Sequence, residues 1–227
     1  MRFNFKIQQY QTDAVDSVVS IFNGQRHYDR ITYIRDLGKT ARKTAQMSLV
    51  TPDEYGEQLD LMDELGYKNE LIELTDEQLL HNLRERQTLN NIRLSDNLSR
   101  QLGRCSLDVE METGTGKTYV YIKTMFELNK QYGWTKFIVV VPSIAIREGV
   151  KKSFEMTIDH FMEHYGLKAR FFVYSSSNLN QLDNFSSSAG INVMIINTQA
   201  FASSLKEDGT SKEARIIYSK RDEFASR

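Results

Sequence analysis

Apolar positions fall into two kinds of pattern along the 227-residue chain. Near the amino terminus, Ala14, Val15, Val18, Val19 and Phe22 recur at helical spacing, and Gly24 supplies a stop, predicting a helix within Phe5 to Gly24. Thr51-Pro52-Asp53-Glu54 has capping-box spacing with proline in the first turn, predicting a helix to Leu65 closed by Gly66. Thr75-Asp76-Glu77-Gln78 is a second capping box, opening a helix through about Leu89. From about residue 105 the pattern changes. Leu107 to Met111 is a short β-prone run, and Lys117 to Gln131 turns Tyr121, Ile122, Met125, Phe126 and Leu128 inward as a helix. Phe137 to Val141 is continuously apolar, as in a parallel strand covered on both faces. A helix follows Pro142-Ser143 and runs to about Tyr165, with Gly166 as its stop. Arg170 to Tyr174 and Ile191 to Ile196 are further strand candidates. A Ser/Asn-rich connection containing a short helix separates them.

Strands alternating with helices predict an α/β fold with a parallel sheet, whose ligands lie along the carboxyl ends of the strands. Residues 25–104 between the first helix and the α/β part read as a mostly helical insertion. Its stretch from Pro52 to Glu77 is strongly acidic, with Lys68 as the single basic residue, and would repel a phosphate backbone. The basic residues Arg30, Arg35, Lys39, Arg42 and Lys43 precede it, most simply as a solvated face.

Composition adds bounds. A hydrophobic fraction of 40% and a charged fraction of 26% are ordinary for a soluble protein. No apolar run approaches the roughly 20 residues of a membrane span, and the start lacks a signal-peptide core. The single cysteine, Cys105, excludes an internal disulfide framework and a Cys-based zinc site, and fits a reducing, cytoplasmic compartment. A net charge of −1 gives no global sign of nucleic-acid binding.

The chemistry is concentrated in Met111-Glu112-Thr113-Gly114-Thr115-Gly116-Lys117-Thr118, a Gly-rich turn between a predicted strand and a helix. Glycines let bare backbone N–H groups approach a polyphosphate. Lys117 would reach the β- and γ-phosphates, and the Thr118 hydroxyl would hold Mg²⁺. The helix that starts there aims the positive end of its dipole at the anion. The pattern G-x-x-x-x-G-K-[ST] asks for glycine where Met111 stands. Upstream, Gln11 lies in Gln8-Gln9-Tyr10-Gln11-Thr12-Asp13-Ala14, and its amide can donate to and accept from an adenine edge. Placing both motifs in one site makes the lobe 1–24 plus 105–227. His160-Phe161-Met162-Glu163-His164 fits H-x-x-E-H, but the bland account, a solvated helix with a few buried apolar residues, is preferred to zinc. Cys105 reads as a packed small residue.

Four segments resemble the Res subunits of type III restriction enzymes: the phosphate loop through Tyr119; Val140-Val141-Pro142-Ser143-Ile144-Ala145-Ile146-Arg147-Glu148-Gly149-Val150, similar to that family's motif Ia; Asn197-Thr198-Gln199-Ala200-Phe201; and Tyr10 to Ala14, similar to the adenine-reading glutamine motif of superfamily-two helicases. In that family Met at position 111 is ordinary. The resemblance implies the first RecA-like lobe of an ATP-driven DNA translocase and helicase that cleaves DNA with its methyltransferase (modification) subunit. By position, Gln11 reads adenine, and Thr113, Gly114, Thr115, Gly116, Lys117 and Thr118 bind ATP and Mg²⁺. Pro142, Ser143, Arg147 and Lys151, with Thr198 and Gln199, contact the backbone of double-stranded DNA. For Ser143 the physics agrees, because a hydroxyl and a helix N-terminus suit a phosphate.

One departure is large. The acidic Walker B pair that holds Mg²⁺ and orients water is missing, since Asp222-Glu223 follows Ser219-Lys220-Arg221 rather than an apolar strand. The chain is therefore expected to be an amino-terminal portion truncated before Walker B, without the second lobe, its arginine finger or the nuclease domain. It is expected to bind ATP and hardly hydrolyse it. The alternatives are a lobe of another superfamily-two helicase and a non-catalytic nucleotide-binding module whose acidic helices dock a partner.

Overall fold

The computed structural model describes residues 5–35, 65–100, 103–175 and 180–200. In chain order the elements are α1 (Gln9–Val19), a 3-10 turn (Ser20–Phe22), β1 (Ile31–Ile34), β2 (Leu65–Lys68) and α2 (Asp76–Leu89). Then come α3 (Lys117–Tyr132), β3 (Lys136–Val141), α4 (Ile144–Tyr165), β4 (Arg170–Val173), α5 (Asn180–Ser187) and β5 (Asn192–Asn197). The fold is α/β. Its centre is a three-stranded parallel sheet in the order β3-β5-β4, with Val141 opposite Asn197 and Val173 opposite Ile195.

β5 is central and buried on both faces, which is why Ile191 to Ile196 reads as a buried-type strand. Val193 and Ile195 face a core shared with Ile122 and Phe126 of α3 and Phe154 and Phe161 of α4. Met194 and Ile196 face Leu182 and Phe185 of α5. A second core joins Val15 and Val19 of α1 to Leu79 of α2, Leu128 and Tyr132 of α3, and Trp134. Burying each such side chain contributes roughly 1.5–3 kcal/mol relative to leaving it in water.

β3 is different. Phe137, Val139 and Val141 pack against the α3–α4 core, but Ile138 and Val140 on the other face are each 41% exposed. The expectation of a strand covered on both faces is corrected here. Helix α5 lies over β5 and β4 and meets β3 only at Lys136. Among the described residues no strand pairs with the outer edge of β3, where the Asn69 amide accepts from Lys136 N at 2.9 Å and donates to Lys136 O at 2.8 Å.

The helix ends follow the capping signals. Thr75 accepts from Gln78 N while the Gln78 side chain accepts from Thr75 N, a complete capping box for α2. Ser143 Oγ accepts from Ile146 N at 3.3 Å at the start of α4, and Gly166 ends it at φ +67°.

Two expectations are overturned. Gly66 does not stop a helix. It lies in β2 opposite Tyr33 of β1, in an antiparallel pair, and a Cβ there would sit 2.5 Å from the tyrosine ring. Glycine is present because the Tyr33 ring lies across it. Leu107 to Met111 forms no strand either. Val109 is 46% exposed, and the only pairing close by is an isolated bridge between Ser99 and Ser106. A strand is held by a neighbour's hydrogen bonds, and this run has no neighbouring strand among the described residues. The helix expected from Thr51 lies, apart from Leu65, outside the described residues, as do Asp222-Glu223 and Phe201.

Candidate functional site

The phosphate loop is built by two left-handed glycines. Gly114 and Gly116 have φ of +86° and +87°, a region that side-chain-bearing residues enter only with strain. Between them Thr115 Oγ1 donates to Glu112 O at 2.6 Å, closing the turn. α3 begins directly afterwards, so the backbone N–H groups of its first turn are free of helical partners and face the loop. Lys117 folds back on the loop and donates from Nζ to Met111 O at 2.6 Å. The Tyr121 hydroxyl is buried beside the Thr118 side chain and, among the described residues, meets no partner in good hydrogen-bond geometry. Burial pushes its pKa up, and the neighbouring Thr118 side chain pulls it back.

Gln11, more than a hundred residues earlier, reaches the same loop. Its Nε2 donates to Thr115 O at 2.9 Å, and the Tyr10 hydroxyl donates to the same oxygen at 3.2 Å. Gly116 is needed for this approach, because a Cβ there would lie 2.5 Å from Gln11 Nε2. Helix α1 is anchored beside the loop by Lys123 of α3, a buried lysine whose Nζ donates to Thr12 Oγ1 at 2.9 Å. The amide expected to read adenine therefore holds the phosphate loop here.

The predicted DNA-contact residues form a second group. Pro142 and Ser143 follow Val141, and Thr198 and Gln199 follow Asn197. Val141 and Asn197 are partners on adjacent parallel strands, so both segments emerge side by side at one end of the sheet. Pro142, Ser143, Thr198 and Gln199 are all exposed. Arg147 is held to Glu148 Oε1 at 3.1 Å, and Lys151 lies 3.9 Å from Glu155, so each cation has a carboxylate on its own helix. Asn197 Oδ1, at the end of β5, is buried with no donor among the described residues. The phosphate loop was expected at a strand end of this same sheet. It does not follow a strand, for the reason given above.

In the H-x-x-E-H stretch Met162, Glu163 and His164 are exposed and Phe161 is buried, as in a solvated helix with a few buried apolar residues, and His160 alone departs from that account. His160 is only 8% exposed; its Nε2 is hydrogen-bonded to the Tyr119 hydroxyl at 2.9 Å, and His164 Nδ1 sits 2.8 Å from His160 O. Both rings are engaged within the protein, and no group of three metal-ligating side chains occurs among the described residues. Cys105 packs against the α1–α2–α3 core, and burial raises its thiol pKa, away from nucleophilic use. Tyr10 and Tyr119 lie inside the motif-bearing segments and His160 inside H-x-x-E-H, but no role was assigned to Tyr10 or Lys123, nor was the Tyr119–His160 pairing expected.

The family model for the type III restriction enzyme res subunit matches residues 4–224. The chain belongs to that family. It is similar to the Res subunit of the EcoP15I restriction-modification enzyme of Escherichia coli, 39% identical over 111 residues, and to that of EcoPI from Escherichia phage P1, 37% over 111 residues. Each alignment covers 48% of this chain and 11% of the relative. The StyLTI Res subunit of Salmonella typhimurium is 48% identical over 62 residues, 27% of this chain and 6% of the relative. The chain thus spans about a tenth of the relatives it matches. As a Res-family chain it carries no helix, among the described residues, long and apolar enough to cross a membrane.

Proposed function

We propose that this chain is the ATP-binding amino-terminal part of a type III restriction Res subunit, an ATP-driven translocase working on double-stranded DNA beside a methyltransferase subunit in the cytoplasm. The observation that carries the nucleotide reading is the bond from Gln11 Nε2 to Thr115 O, which joins the adenine-reading segment and the phosphate loop in one place. The donor set fits a magnesium nucleotide. Gly114 leaves open space beside the loop, the first turn of α3 offers N–H groups, Lys117 is exposed, and Thr118 supplies a hydroxyl. Bound Mg²⁺·ATP would supply the phosphoryl chemistry. The residues of this chain would bind and orient it: Lys117, now bonded to Met111 O, would hold phosphate oxygens, and Gln11, now bonded to Thr115 O, would hold the adenine edge.

Pro142, Ser143, Thr198 and Gln199 form an exposed, uncharged platform with a helix N-terminus, suited to phosphate positioning without sequence readout. Arg147 and Lys151 join it by giving up exposed ion pairs, each worth roughly 0–1 kcal/mol.

The test is calorimetric titration of the chain and of Lys117→Ala with ATP and Mg²⁺, with steady-state ATPase measured beside duplex DNA. Saturable binding weakened at least tenfold in the variant, with turnover at background, is the expected result. DNA-stimulated turnover would mean that a further acidic residue completes the site. Absence of any binding would remove the proposal.

A further inference from the structure

The two residue groups just described sit on different elements, and α3 meets α4 between them. α3 begins at the phosphate loop, while α4 begins at Ser143. Their contact is an aromatic stack: Phe126 lies on Phe161 with ring centroids 4.9 Å apart and on Tyr165 at 5.1 Å, and the Tyr165 hydroxyl donates to Glu127 at 2.7 Å. At the end of this stack nearest the loop, Tyr119 and His160 form a second polar contact between the two helices at 2.9 Å. Tyr119 is two residues beyond Lys117. Phe5, ahead of α1, covers both rings, with centroids 6.2 Å from Tyr119 and 5.3 Å from His160. The segment carrying Gln11, the helix carrying Lys117 and the helix carrying Ser143 therefore converge on one hydrogen bond.

We propose that Tyr119 and His160 are a positioning pair that couples nucleotide affinity at the phosphate loop to nucleic acid held at the amino end of α4. This rests on the nucleotide and DNA readings above. An α-helix of 22 residues moves largely as a rod, and roughly 25 Å of it separates Ser143 from His160. A backbone phosphate seated at Ser143 shifts α4 along or about its axis, and the shift arrives at His160. An apolar stack alone tolerates sliding, because dispersion is non-directional; a hydrogen bond of 2.9 Å in a buried setting does not. Tyr119 then carries the displacement into the first turn of α3, which fixes Lys117 and Thr118.

The surroundings keep His160 a neutral acceptor. Burial, then His164 on its own helix, disfavour its protonated form; Glu163 opposes them, and Lys123 on α3 adds a lesser effect in their direction. Neutral His160 accepts a hydrogen bond from the Tyr119 O–H at Nε2 and carries its own proton on Nδ1.

The experiment is equilibrium binding of a fluorescent ATP analogue with Mg²⁺ to the full chain, with and without a short blunt DNA duplex. It is repeated on Tyr119→Phe, His160→Phe, the double variant and His160→Gln, with thermal melts to establish folding. The expected result is a DNA-induced change in analogue affinity of at least about fivefold in the unsubstituted chain, the lower end of ordinary coupling between sites. In Tyr119→Phe and His160→Phe that change shrinks to under about twofold, while affinity without DNA moves little. The double variant is no worse than either single one. His160→Gln, whose carbonyl oxygen can accept the same bond, retains most of the effect.

An undiminished DNA effect in Tyr119→Phe would overturn the coupling. So would equal affinities with and without DNA in the unsubstituted chain, with nucleotide binding itself left standing. Loss of DNA-free binding in folded Tyr119→Phe would make the pair a support of the loop alone and also overturn it. If the unsubstituted chain bound no nucleotide, the functional reading would fail first and this inference with it.

Discussion

At the scale of single residues, two positions make sharp demands. Gly133 ends α3 at φ +77°, and a Cβ there would lie 2.0 Å from Tyr28 O, a backbone atom that cannot rotate away. Gly133→Ala combines left-handed strain of roughly 1–3 kcal/mol with that overlap. It is expected to lower unfolding free energy by about 3 kcal/mol in a denaturant titration, the upper part of the strain range. Gly114→Ala meets the strain without any neighbour and serves as the milder control. Lys136 is the second position. Its Nζ donates to Ser188 O and lies 5.4 Å from the centroid of the Phe185 ring; burial, with the Arg170 guanidinium beside it, lowers its pKa to about 7. Unfolded, a lysine titrates near about 10.4. Between those values the unfolded chain binds more protons than the folded one, so stability rises with pH across that window and is at its lowest below about 7. Lys136→Met is expected to flatten this rise, as read by unfolding free energies at a neutral and an alkaline pH. An unchanged slope in the variant would show that Lys136 titrates normally.

At the scale of elements, α4 holds a glycine in its body. Gly149 is exposed, and nothing lies within 4 Å of where its Cβ would be. Glycine in a helix interior is less stable than alanine by roughly 0.5–1 kcal/mol, so Gly149→Ala is expected to raise stability by about that much on chemical denaturation. Elements were also the best-read level of the sequence. The capping box at Thr75, the Ser143 start, the Gly166 stop and the β5 run all announce themselves through short-range chemistry, and all are found. Failures came where the decisive partner is distant. Gly66 carries the same letter as a helix stop, but Tyr33 makes it a strand residue. Leu107 to Met111 has strand propensity and no strand beside it. Ile138 and Val140 are as apolar as their neighbours, and the reach of α5 is not written in them. The candidate site divides the same way. The loop glycines and Lys117 were legible, whereas the bond from Gln11 to Thr115 O and the burial of His160 against Tyr119 exist only once three helices are packed.

At the scale of the whole molecule, the described residues enclose β5 and leave β3 as a flank. The bare flank has a consequence for the chain in a test tube. Beyond Lys136, whose backbone the Asn69 amide caps, an edge with no strand partner among the described residues and with Ile138 and Val140 beside it is a template for another copy, since backbone N–H and C=O groups and an apolar strip lie together. Light scattering on the purified chain is expected to rise with concentration and to persist in high salt, because apolar contacts are not screened. Val140→Lys, placing a charge on the open face, is expected to suppress that scattering without lowering the melting temperature by more than a few degrees. A monodisperse wild-type chain at all concentrations would show the flank to be closed in solution. Colloidal behaviour thus becomes a direct gauge of how complete the sheet is, and a binding titration on this chain is best run dilute and beside that variant.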